Sequence, residues 1–118
     1  MKLGRKKTGG KYKKARKKKS SERAGQRIIV KISEERKKTQ RVKGGNKKTF
    51  LLGAKFVNVK GKNNKKVEIK NVLETPSNRF LARQNIITKG TILETELGKV
   101  RVTNRPTQQA MVNGVLIE

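Results

Sequence analysis

The chain has 118 residues, the size of one domain, and carries 33 Lys+Arg against 8 acids, a formal net charge of +25. All eight acids are glutamates, and Cys, His, Trp and Asp are absent. This excludes disulfides, zinc fingers, and thiol or imidazole catalysis. General acid–base work would fall to Glu, Lys or the single tyrosine, Tyr12, and no two glutamates have the spacing of a catalytic dyad, so an enzyme is not expected. A free protein this basic repels itself. Nucleic acid is the expected neutralising partner, because Lys and Arg release condensed counterions when they take up phosphates. No apolar run approaches the roughly 18 residues of a membrane span, and no charged start leads into an apolar stretch as in a signal peptide. A cytoplasmic chain with no membrane partner is expected. The apolar share is 31% and the aromatic share 3%, below the usual range of about 45–50% that counts glycine. A small core with a tail ordered by its partner fits these values.

Charge divides the chain. Residues 1–49 hold 21 Lys+Arg and 3 Glu, whereas residues 50–118 hold 12 and 5. Met1, Leu3, Tyr12, Ala15 and Ala24 are the only apolar side chains before residue 28. Lys11–Lys19 has seven basic residues in nine. As a free helix it would set Lys13 against Lys17 and Lys14 against Lys18. Residues 1–27 therefore read as an extended basic arm, disordered without RNA, and residues 28–118 as the folded RNA-binding domain.

From Ile28 onward, short β-branched runs alternate with turn residues. Ile28–Ile32 is the first expected strand and Lys38–Val42 a weaker second. Lys43-Gly44-Gly45-Asn46 is a turn, since Gly and Asn tolerate positive φ, and Lys48–Leu52 returns from it. Ala54–Val59 is the next strand, and Gly61-Lys62-Asn63-Asn64 the next turn. Lys66–Leu73 alternates, with Val67, Ile69 and either Val72 or Leu73 inward and Glu68 and Lys70 outward. Thr75-Pro76-Ser77-Asn78 breaks the strand, and Phe80–Gln84 suits a helical turn capped by Ser77 or Asn78. Ile86–Thr88, Thr91–Thr95 and Val100–Thr103 read as strands, with Arg105-Pro106 ending the series. Thr107-Gln108-Gln109 reads as a polar loop and Val112–Ile117 as a closing strand. The expected fold class is mainly β: a small antiparallel β-barrel-like domain with a basic, extended N-terminal arm.

The candidate RNA-binding residues follow from charge and turn geometry. In the arm they are Arg5, Lys6, Lys7, Lys11, Lys13, Lys14, Arg16, Lys17, Lys18 and Lys19, set along phosphates. Tyr12 either stacks on an unpaired base, lies against the barrel or bridges to a phosphate. Around the Gly-Gly turn they are Arg41, Lys43, Gly44, Gly45, Asn46, Lys47 and Lys48, where the glycines admit close approach of the backbone to phosphate. Arg79, Arg83, Arg101 and Arg105 suit bidentate phosphate contact or stacking, with Arg101 facing outward between Val100 and Val102. Thr88-Lys89-Gly90 and Leu97-Gly98-Lys99 read as plain tight turns. Phe50, Phe56 and Phe80 sit among apolar residues and read as core. No aromatic signature of an RNA-recognition motif is present.

Several segments resemble the ribosomal protein S8e family of archaeal and eukaryotic small subunits. They are Thr8-Gly9-Gly10-Lys11; Lys43-Gly44-Gly45-Asn46-Lys47-Lys48; Asn85–Ile92; Glu94–Pro106; and Val112–Glu118. They run collinearly over almost the whole chain. The match is weakest over Ser20–Arg36, and the long insertion of eukaryotic members is missing, as in the short archaeal form. The resemblance implies a structural constituent of the small (30S) subunit that contacts small-subunit ribosomal RNA and neighbouring ribosomal proteins. No cofactor and no metal are expected, and the charge argues against a homo-oligomer. An assembly factor of the same family and a general RNA chaperone are the alternatives.

Overall fold

The computed structural model describes residues 4–12, 16–22, 28–61 and 64–117. Eight strands and two short helices follow in order: β1 (Lys31–Ile32), β2 (Arg36–Arg41), β3 (Lys47–Ala54), β4 (Phe56–Lys60), β5 (Lys65–Glu74), α1 (Arg79–Arg83), β6 (Ile92–Thr95), β7 (Gly98–Val102), α2 (Pro106–Gln109) and β8 (Asn113–Ile117). They form two sheets. One is three-stranded in the order β1-β3-β2, and the other is a closed barrel, β4-β5-β6-β7-β8.

Barrel closure follows from strand count. Consecutive neighbours in an up-and-down run alternate direction, so the first and last of five strands point the same way. Four barrel pairs are antiparallel, and the closing pair β4–β8 is parallel, with Val59 opposite Gly114. The expected small, mainly antiparallel barrel is present, and with five strands its closing pair has to be parallel. The ten-residue β5 carries two register shifts against β6, at Ile69/Asn71 and Val72/Glu74. Such bulges bend a strand and raise its twist, which suits closure.

A five-stranded barrel has room inside only for compact side chains. Val57, Val59, Val67, Ile69, Val72, Leu93, Val100 and Val102 fill it, all buried. The period-two alternation that places them is cleanest in β4, where Val57 and Val59 point in while Phe56, Asn58 and Lys60 point out. Val30, Leu51, Ala54, Ile87 and Val112 join the same core from outside the barrel strands, so the base of β3 is anchored to the barrel. Each such aliphatic side chain contributes about 1.5–3 kcal/mol on full burial.

The narrow interior also explains a departure from sequence expectation. None of the three phenylalanines is core: Phe50 is half-buried, Phe56 is exposed, and Phe80 is 55% exposed. An aromatic ring has no place among the valines of so small a barrel.

Other departures are local. Ile28–Ile32 and Ile86–Thr88 were each expected to be strands. Of the first, only Lys31–Ile32 is a strand, β1, paired with β3 at Gly53 and Ala54; the two segments meet through a single Lys31–Ile86 bridge and an Ile87 N–H that donates to the Val30 carbonyl at 2.9 Å. Val30 and Ile87 are apolar because they are buried, not because they belong to a long ladder. The loop expected at Thr107–Gln109 is the helix α2. Pro106 opens it, since its ring presets helical φ at the first position, and Ala110 closes it at φ 54°. The capping of α1 is by Asn78, whose Oδ1 accepts the Phe80 N–H at 2.9 Å. Lys62 and Asn63 of the expected turn lie outside the described residues.

Gly114 is the tightest point of the barrel seam, paired on one side with Val102 and on the other with Val59. A Cβ there would stand 2.3 Å from Val100 Cγ1 and 2.9 Å from the Arg101 carbonyl oxygen. Gly114→Ala is therefore expected to destabilise the protein by about 1–3 kcal/mol through overpacking, read as a lower urea midpoint. An unchanged midpoint would show that the seam is looser than described.

Candidate nucleic-acid interface

The β2–β3 hairpin is built unlike the rest of the molecule. Every residue of β2, Arg36-Lys37-Lys38-Thr39-Gln40-Arg41, is exposed. With no apolar alternation, β2 itself contributes nothing to the core. β3 is exposed at Lys47 and Lys48 and becomes buried only at Leu51, Gly53 and Ala54. An isolated two-stranded ribbon is marginal in water, and this one also bears like charges. Arg41 pairs directly with Lys47, and Gln40 with Lys48. Like charges directly opposite each other destabilise a strand pair. One pair further from the tip, the Thr39 and Thr49 hydroxyls meet at 3.2 Å.

The tip reverses at Gly44 and Gly45, with φ 75° and 77°. That left-handed region favours glycine. The turn over Lys43–Gly45 is closed by the Val42 N–H donating to the Asn46 carbonyl at 2.7 Å. Lys43, Gly44, Gly45, Asn46, Lys47 and Lys48 are all exposed, so the sequence-predicted hairpin residues form one continuous basic tip.

Described residues of the first 27 add nothing to the core. Residues 4–12 fold into a small turn, with Arg5 bridged to Lys11 and the Lys6 N–H donating to the Gly10 carbonyl at 2.8 Å. Arg5, Lys6, Lys7, Lys11, Arg16, Lys17, Lys18 and Lys19 are exposed. Tyr12 is 52% exposed with the Lys6 Nζ 5.8 Å from its ring centre, so its ring is open on the surface. Lys13 and Lys14 lie outside the described residues. The molecule extends 71 × 36 × 22 Å, and its radius of gyration is 21.2 Å. A compact chain of this length has about 13–14 Å.

On the barrel, Arg101 faces outward, opposite Ile92 on one side and Val115 on the other, and Val115 in turn pairs with Lys60. Arg79 and Arg83 are exposed on α1, and Arg105 is exposed at the start of α2. The arginines thus occupy separate faces from the hairpin tip and are not gathered into one cluster.

Two features escaped sequence reading. Arg36, Lys37 and Lys38 belong to the exposed ribbon, and the signal was available: six residues with no apolar member cannot be a half-buried strand. The phenylalanines were the other. The Lys66 Nζ lies 4.6 Å from the Phe56 ring centre, and the Arg79 guanidinium carbon lies 5.5 Å from that of Phe80. These are surface ring–cation pairs of the kind that stacks on bases.

Few carboxylates offset the charge. Among the described residues the ion pairs are Arg16–Glu22 at 2.8 Å, Lys37–Glu35, and Lys55–Glu68 at 3.3 Å. Hydrogen bonds from the Arg16 side chain and the Lys19 backbone hold the Glu22 carboxyl below its usual range. A hydrogen bond from Lys37, reinforced by its charge, does the same for Glu35. Among the described residues no group of three His, Cys, Asp or Glu side chains could hold a metal ion. No helix among them is long and apolar enough to cross a membrane.

The described surface thus offers exposed cations on the ribbon, the first residues and the barrel, and an open glycine backbone at the hairpin tip, an arrangement chemically suited to phosphates. Comparison with known proteins adds the family. A profile described as ribosomal protein S8e matches residues 1–117. The small ribosomal subunit protein eS8 of Methanococcus aeolicus is 46% identical over 117 residues, 96% of this chain and 91% of that one. Its counterpart in Staphylothermus marinus is 48% identical over 118 residues, 97% and 92% of the two chains. That of Pyrobaculum aerophilum is 42% identical over 131 residues, covering both chains completely. The chain belongs to the ribosomal protein S8e family.

Proposed function

We propose that this protein is a structural constituent of the small ribosomal subunit, residing in cytoplasmic ribosomes beside other small-subunit proteins and binding ribosomal RNA. Its work is positioning and charge neutralisation, with no catalytic step. The observation that carries the reading is the tip half of the β2–β3 ribbon: an all-exposed β2 with cations on both faces, exposed Lys47 and Lys48 on β3, and Arg41 set directly against Lys47. Such a ribbon is poorly stable alone and well suited to lie between phosphates. The barrel then serves as the rigid mount that holds the ribbon, Arg101 and Lys60 in fixed relation. Arg5, Lys6, Lys7, Lys11 and the run Arg16–Lys19 extend the same neutralisation away from the barrel.

Two outcomes test this. Binding of the full chain to a small-subunit ribosomal RNA fragment should weaken with salt, log K falling by about 0.7–0.9 per phosphate neutralised for each unit of log salt. Replacing Lys43, Lys47 and Lys48 together by Gln should make that slope shallower by about 2–3. An unchanged slope would remove the hairpin tip from the interface. Arg41→Thr should raise the melting temperature of the free protein at low salt, because relieving a like-charge pair stabilises a strand pair by about 0.2–1 kcal/mol, and it should weaken RNA binding. A variant less stable yet bound as tightly would show that Arg41 serves the fold.

A further inference from the structure

Between the end of β5 and α1 lies a cleft of about 480 Å³ lined by Asn71, Glu74, Thr75, Arg79, Arg83 and Asn85, with short apolar walls. Three observations there do not follow from folding alone. Thr75 is 2% exposed, and its Oγ1 is buried with no hydrogen-bond partner among the described residues. A buried hydroxyl without a partner is costly, and valine would fill the same space without that cost. Arg79 and Arg83 stand four residues apart on one helix face, a like-charge spacing that weakens so short a helix. Neither has a carboxylate partner among the described residues, although Glu74 lines the same cleft. Asn85 holds a left-handed backbone at φ 53°. Its N–H donates to the Ala82 carbonyl at 3.0 Å, and its own carbonyl accepts the Ile32 N–H at 3.3 Å, which fixes the residue at the cleft edge.

We infer that this cleft takes a single unpaired nucleotide of the bound RNA, a deepening that rests on the ribosomal-RNA reading above. Arg79 and Arg83 supply paired guanidinium donors for its phosphate. Glu74 disfavours a bare phosphate deep in the cleft, but its carboxylate accepts the imino and amino protons of a guanine edge. The Asn71 Oδ1 is occupied by the Val72 N–H at 2.9 Å, which leaves its amide NH₂ to donate to a base oxygen. A rotation of the Thr75 side chain brings its hydroxyl to the base and satisfies it there. Unpaired bases are the usual targets of specific RNA recognition, because their edges are free.

The test uses the full chain and two probes, guanosine 5′-monophosphate and ribose 5-phosphate, followed by backbone amide NMR shifts. Saturable shifts at residues 71–75 and 79–85 are expected with the nucleotide, and weaker binding with ribose 5-phosphate. Thr75→Val should raise the melting temperature while weakening nucleotide binding about two- to tenfold, the effect of one lost hydrogen bond. A stabilised Thr75→Val protein with unchanged nucleotide affinity would overturn the inference, as would equal binding of the two probes or shifts confined to the arm and hairpin. Arg83→Gln guards against a folding artefact: it should weaken both probes without lowering the melting temperature, and undiminished binding would count against the cleft. Salt-dependent binding to duplex ribosomal RNA is measured in parallel. If it persists while the cleft stays silent, the cleft alone fails; if it is lost, the broader functional reading fails with it.

Discussion

Repulsion among cations governs the architecture. With 33 basic residues against 8 acidic ones, internal pairing cannot neutralise the chain. The ion pairs found among the described residues are exposed, and exposed pairs contribute little to stability. The protein resolves the conflict by separating its tasks. Apolar residues are concentrated in a narrow barrel that folds on β-branched side chains, and the cations are held on its outside, on the ribbon and in the first residues. The ribbon shows the separation most directly: Leu51 and Ala54 anchor β3 in the core, while Lys48, three residues from Leu51, and every residue from it to Lys43 are exposed.

The same division explains why so little aromatic surface is buried. A five-stranded barrel closed in parallel between β4 and β8 has no interior room for rings, so Phe56 and Phe80 lie outside beside cations. Gly114 marks how tightly the two seam strands approach. Family membership and barrel geometry reinforce each other here. The collinear match covers the strands that close the barrel as well as the glycines that turn the hairpin.

Much of this was readable in the residues. The alternation of Val67 and Ile69 with Glu68 and Lys70 marks β5, and Gly44-Gly45-Asn46 marks the hairpin turn because few other residues accept that backbone. Asn78 was one of two capping candidates, and its side chain makes the cap. What escaped depended on tertiary geometry. Nothing local distinguishes a phenylalanine on the outer wall of a barrel from one in its core. Parallel closure is a consequence of strand count, which was uncertain while Ile86–Thr88 still read as a strand. Pro106 read as a terminator although it opens α2, since proline suits both positions. Arg36–Lys38 are the exception: the run Arg36–Arg41 has no apolar member and already marked an exposed strand in the sequence.

The central claim is that these cations exist to be neutralised inside a mature small subunit. Sedimentation of native ribosomal particles, with detection of this protein before and after a moderate-salt wash, tests it most directly. The account predicts a single copy retained on each mature small subunit, because contacts spread over the barrel, the ribbon and the N-terminal residues are not all released by moderate screening. Recovery only at the top of the gradient, or only on precursor particles, would contradict it.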